Sequence, residues 1–121
     1  MSTNVDPSAP ITWLSIDLLD QSAISLDANG QLDKATVLQA LSNAFSFPDY
    51  FGQNWDAAYD LLLEHVDQLV EPALWRFSIA KGSLVNTADL ADWVQLMSDV
   101  CVYGASREQV LRIVVFADEV S

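Results

Sequence analysis

Basic residues are what this chain has least of. Five Lys and Arg stand against seventeen Asp and Glu, a net charge of −12 over 121 residues. Nucleic-acid backbones are held by Lys and Arg, so this balance excludes a phosphate-reading surface. It suits a basic protein partner drawn in by the field of the acids. Acidity kept only for solubility is the plainer alternative. Cysteine is nearly absent too: the single Cys101 excludes an intramolecular disulfide and fits a reducing compartment. Gly52 stands alone in its region, so there is no glycine-rich phosphate loop. No Cys or His cluster suits zinc, and no loop of alternating acids ending in Glu suits calcium. No apolar run nears the roughly 20 residues of a membrane helix. Met1 to Pro10 is polar, carries Asp6 and no base, and does not read as a signal peptide. The expectation is a cytoplasmic protein with no cofactor, no metal, no nucleic acid and no membrane partner.

What the chain does have is apolar matter. Half of it is apolar and four residues are Trp, enough for one modest core in one domain. Ile11 to Leu19 suits either a strand or a helical turn, and an extra edge strand is the reading taken. Ala23 to Asp27 is a short strand candidate before an Asn29-Gly30 turn. Asp33 can cap a helix from Lys34 to about Ser46, with Val37, Leu38, Leu41 and Phe45 inward. Pro48 ends it, Asp49 to Gln53 form a loop, and Asn54 caps a second helix that buries Ala58, Leu61, Leu62 and Val66. Trp55 packs at its start, and Pro72 stops this helical region. Ala73 to Ala80 alternates as a strand does, and Lys81 to Ser83 is a loop. Thr87 can cap a third helix from Ala88 to about Tyr103, with Leu90, Trp93, Val94, Met97 and Cys101 inward and Gly104 as its stop. Leu111 to Ala117 holds a continuous apolar run, the mark of a strand covered on both faces. Strands separated by helices imply a parallel sheet. The fold class is therefore α/β, a small three-stranded parallel sheet packed with helices, with room for an extra N-terminal edge strand.

The stretch that breaks a local rule is Phe47 to Val66, FPDYFGQNWDAAYDLLLEHV. Asp56, Asp60 and Glu64 recur every fourth residue and so share one helix face. Like charges at this spacing cost roughly 0.2–0.5 kcal/mol per pair. No Lys or Arg occurs from Ala35 to Trp75 to relieve them. Asp56 and Asp60 beside Tyr59 could suggest acid–base work on sugars, but one exposed helix face is not a cleft, and no His is placed to activate a nucleophile. His65 reads as half-buried or solvated, and Cys101 as a packed thiol. Asp56 and Glu64 lie about 12 Å apart along the helix, too far to share one ion. Protein binding remains. Tyr59 lies between Asp56 and Asp60, and Tyr50 stands ahead of them, so an aromatic flanked by carboxylates can face a pocket of Arg and Lys. The alternative is a merely solvated helix face.

Residues 47–62, FPDYFGQNWDAAYDLL, closely resemble the core motif of the barstar family of intracellular ribonuclease inhibitors. Pro48, Tyr50, Gly52, Asn54, Asp56, Ala57, Asp60 and Leu62 match it by identity. The apolar positions Leu26, Val37, Leu41, Phe45 and Phe47 continue the match upstream, and downstream the likeness is in the order of elements. It covers about Ala23 to Phe116, which sets residues 1–22 apart as an extension from a barstar-like domain of residues 23–121. The resemblance implies that the loop and second helix plug the active site of a basic barnase-type ribonuclease. Tyr50 and Gly52 would be loop contacts, with Asn54 beside them. Asp56 and Asp60 would face its cationic phosphate site, Asp60 in the role of the phosphate. Tyr59 stands where the family has a larger aromatic. Asp99 would be the acid of a later helix, placed by counting from Gly104. The expected protein is not an enzyme but an immunity protein or antitoxin, a monomer when free, binding its ribonuclease one to one. The alternative is the same scaffold turned to a different basic toxin or regulatory protein.

Overall fold

The computed structural model describes residues 11–19, 22–48 and 52–118. Its helices begin where capping chemistry demands. The Asp33 carboxylate accepts from the Thr36 N–H, and the Thr36 hydroxyl oxygen accepts from the Asp33 N–H, each at 3.0 Å. This reciprocal pair satisfies donors that a helix start leaves orphaned, and it opens α1, Lys34–Phe45. Ser46 ends α1 in the left-handed region at φ 55°. Asn54 Oδ1 accepts from the Ala57 N–H at 2.8 Å and opens α2, Trp55–Asp67. Asn86 does the same for α3, Thr87–Ser106, accepting from the Asp89 N–H at 3.0 Å.

The described residues also hold six strands: β1 Ile11–Leu14, β2 Ile24–Ser25, β3 Gln31–Leu32, β4 Ala73–Ser78, β5 Leu84–Val85 and β6 Leu111–Phe116. Four form one parallel sheet in the order β1-β6-β4-β2. The central strand β6 carries the run LRIVVF, and Ile113 and Val115 are fully buried. Cross-strand rows order the sheet: Ile11, Ile113 and Trp75 align, as do Trp13, Val115 and Phe77, the second row running from buried Phe77 and Val115 to an exposed Trp13 on the edge strand. Trp93 of α3 meets Phe77 edge-on with ring centroids 5.1 Å apart. On α2, Ala58, Leu62 and Val66 are fully buried. Burying Leu62 and Val66 contributes roughly 1.5–3 kcal/mol each, which fixes which way the opposite face of α2 points.

The architecture is the expected α/β class, with the extra N-terminal strand present as β1. That strand is only Ile11–Leu14, and a 3-10 turn at Ile16–Leu18 takes up the rest of the apolar stretch. Several boundaries differ from expectation. The loop after β4 runs into β5, which pairs in parallel with β3 as a second, two-stranded sheet. The cap of α3 is Asn86 rather than Thr87. Phe45, Leu61 and Val94 are half-buried rather than enclosed. α2 ends at Asp67, ahead of Pro72. Gly104 does not stop α3 but is buried inside it. A Cβ there would stand 3.4 Å from Val66 Cγ1 and 3.4 Å from the Gln109 carbonyl oxygen. That is close van der Waals contact, so α3 packs tightly on α2 at this point.

Candidate functional site

The site follows from the two faces of α2. With Ala58, Leu62 and Val66 turned into the core, Asp56, Asp60 and Glu64 are left exposed on the other side, and Tyr59 is half-buried. Among the described residues the ion pairs are Lys81–Asp118 at 3.9 Å and Arg107–Asp67 at 3.8 Å, and none reaches Asp56, Asp60 or Glu64. Asp67, one turn beyond Glu64, is engaged: it accepts from the Tyr103 hydroxyl at 2.9 and 3.1 Å. That bond holds the Tyr103 phenol above its ordinary value.

The start of α2 is organised by Asn54, whose side-chain oxygen is committed to the cap. Gly52 lies against it: a Cβ at Gly52 would come within 3.1 Å of Asn54 Nδ2. A larger residue would push on the cap, so the glycine keeps the approach to the helix compact. Tyr50, expected as a loop contact, lies outside the described residues with Asp49 and Phe51.

α3 supplies the opposite wall. Asp99 is exposed, and its Oδ1 accepts from Gln95 Nε2 at 2.9 Å, which holds the carboxylate in place. Between the helices is an open groove of about 490 Å³, lined by Trp55, Asp56 and Tyr59 from α2 and by Asp92, Gln95, Leu96 and Asp99 from α3. The structure thus brings Asp56, Tyr59 and Asp99 together in one concavity. Asp60 lies one turn along α2 from Asp56, off the groove lining, on the exposed face. Gly52 and Asn54 stand ahead of the helix.

Sequence reasoning missed Trp55 as a groove residue, and it missed Asp92, Gln95 and Leu96 altogether. A signal existed: Asp92, Gln95, Leu96 and Asp99 fall at helical spacings of three, four and seven, which puts them on one face. What was absent was the knowledge that this face turns toward α2.

An aromatic and aliphatic floor edged by three carboxylates can receive a cationic side chain. Desolvation on the floor strengthens the attraction, and aromatic rings add to it. The groove lining holds neither a thiol nor an imidazole. The nearest thiol, Cys101, is buried, and burial pushes it up to about 11, which leaves it protonated and inert at neutral pH. His65 is engaged elsewhere, 2.9 Å from the Phe45 carbonyl oxygen. Among the described residues no group of three His, Cys, Asp or Glu side chains could hold a metal ion, and no helix is long and apolar enough to cross a membrane.

Comparison with known families agrees with the fold. A family model described as Barstar (barnase inhibitor) matches residues 21–116. Searches of curated proteins and of solved structures gave no match. The matched stretch holds β2 through β6 and all three helices, including every described residue of the acidic face and groove. On that evidence the chain belongs to the barstar family.

Proposed function

We propose that this protein is an intracellular inhibitor of a basic, barnase-type ribonuclease, acting as a cytoplasmic immunity protein that binds its target one to one. The observation that supports this most is the set of exposed acids on α2, which have no ion pair within the described chain, in a family described as barnase inhibitors. A ribonuclease must concentrate positive groups to hold RNA phosphates. Carboxylates at fixed helical spacing imitate those phosphates, and complementary charge raises the rate of encounter. The pair after which the family is named is itself the reference case for such interfacial charge pairs.

In this reading Asp60 takes the position of a bound phosphate. Asp56 and Asp99 engage cations from the two walls of the groove, Tyr59 gives the aromatic contact, and Tyr50, Gly52 and Asn54 complete the surface ahead of α2. Repulsion along Asp56, Asp60 and Glu64 is relieved when the partner's cations arrive. The test is a titration of a barnase-type ribonuclease, followed by RNA cleavage. Activity should fall linearly to zero at one equivalent, with an association rate that drops as salt rises. Undiminished cleavage at a large excess would contradict the reading.

A second reading keeps the scaffold but changes the partner to another basic toxin or a regulatory protein. It is favoured by Tyr59, which stands where the family has a larger aromatic. Affinity capture from native cells separates the two, since a non-nuclease recovered in equal amount supports the second.

A further inference from the structure

The connection that leads into the acidic helix leaves α1 at Ser46 and enters α2 at Asn54. Something must hold the departure point against the helix that carries Asp56 and Asp60. The last carbonyls of a helix lack intrahelical partners. At the end of α1, the Ser42 oxygen accepts from both the Ser46 and Phe47 N–H groups. The oxygen of Phe45, the final residue of α1, is taken by a side chain 20 residues away: His65 Nε2 at 2.9 Å, from the last turn of α2. A carbonyl can only accept, so Nε2 carries the proton and donates.

The contact is packed as well as bonded. The His65 ring meets the Phe45 ring edge-on at 5.2 Å, and Phe45 tilts against Trp75 of β4 at 4.7 Å. Phe47, the first buried residue past α1, stacks on Phe45 at 6.4 Å. One imidazole therefore joins the end of α1, the stem of the connection and the helix that presents the acids.

We propose that His65 is the positioning residue of the recognition face: its bond to the Phe45 carbonyl pins the stem that leads from α1 toward α2. The proposal rests on the inhibitor reading for its purpose, but not for its test. Surface segments that are ordered before binding lose less entropy when they bind, so the tie would act on affinity without touching the partner.

Two substitutions separate the bond from the packing. His65→Phe keeps a ring against Phe45 and removes the donor. His65→Gln keeps a donor of similar reach and removes the ring. Native-state amide exchange on the free protein reads both. In His65→Phe the Ser46 and Phe47 amides should exchange about tenfold faster, while amides of β6 and α3 keep their rates. In His65→Gln the Ser46 and Phe47 rates should return to within about threefold of the wild type. Unchanged Ser46 and Phe47 rates in His65→Phe would overturn the proposal. So would a uniform acceleration across all elements, which marks a purely structural residue, or a failure of His65→Gln to restore protection. No ribonuclease is needed, so a positive result here with no inhibition in the titration would reject the function and keep the tie.

Discussion

Two groups of carboxylates in this protein lead opposite lives. At the corner where β2, β3 and β5 meet the starts of α1 and α3, the acids are occupied. Asp27 accepts from the Ser25 hydroxyl at 2.9 Å, from the Ala80 N–H at 3.2 Å, and from the Ser83 hydroxyl. Asp89 of α3 reaches across to accept from the Lys34 N–H at 2.8 Å, closing the start of α1. On the outer face of α2, Asp56, Asp60 and Glu64 have exposure and no ion pair among the described residues. The first group builds the fold. The second costs the fold a little and is available to something outside it. Sites that break a local rule without internal compensation are where function is to be sought.

The largest expected effect comes from reversing a charge in the second group. Asp60→Lys should weaken ribonuclease inhibition by at least about a thousandfold, because like charges brought together at an interface cost several kcal/mol. Its thermal melt should match the wild type or exceed it. Substitution in the first group should do the reverse. Asp27→Ala strands the donors of Ser25, Ser83 and Ala80 and should lower stability by about 1–3 kcal/mol in denaturant titrations, with inhibition unchanged.

Asp27 also carries a pH signature. Burial pushes its carboxyl up, but the hydrogen bonds from Ser83, Ala80 and Ser25 outweigh that and hold the group below its ordinary 3.8. A depressed folded value stabilises the protein above the unfolded value, and that contribution disappears as pH falls through the folded one. Acid unfolding of Asp27→Ala should therefore lack this component, so the gap to the wild type narrows below pH 3.8. Asp89→Ala should cost about 1 kcal/mol, the worth of one hydrogen bond at a helix start. The smallest effect is a gain: Glu64→Gln should stabilise the free protein by roughly 0.2–0.5 kcal/mol in low salt. That gain should fade near 1 M salt, where the screening length is only about 3 Å.

The contrast between these groups was only half legible in the sequence. Helix caps at Asp33 and Asn54 could be read because the chemistry is local, a short side chain answering backbone groups within three residues. The α2 stripe could be read because helical spacing alone decides which residues share a face. The engagement of Asp27 and Asp89 could not, because their partners Ser83 and Lys34 lie more than fifty residues away and meet them only through the β3–β5 pairing. That pairing itself, two residues against two, is too short to show a period. Gly104 was misread for a related reason. A glycine near the end of a helical pattern usually stops it, and nothing local reveals that the helix continues past it, packed against Val66. Asp92 and Gln95 went unnoticed because a groove between helices belongs to neither helix alone.

The most direct measurement compares Asp60→Ala with Asp27→Ala, side by side, as titrants of the same barnase-type ribonuclease, with each variant's folded fraction fixed by its denaturation curve. The account predicts that folded Asp27→Ala inhibits like the wild type, while Asp60→Ala, as stable as the wild type, loses about 2–5 kcal/mol of binding, at least about thirtyfold in Kd. Equal inhibition by Asp60→Ala and the wild type would contradict it.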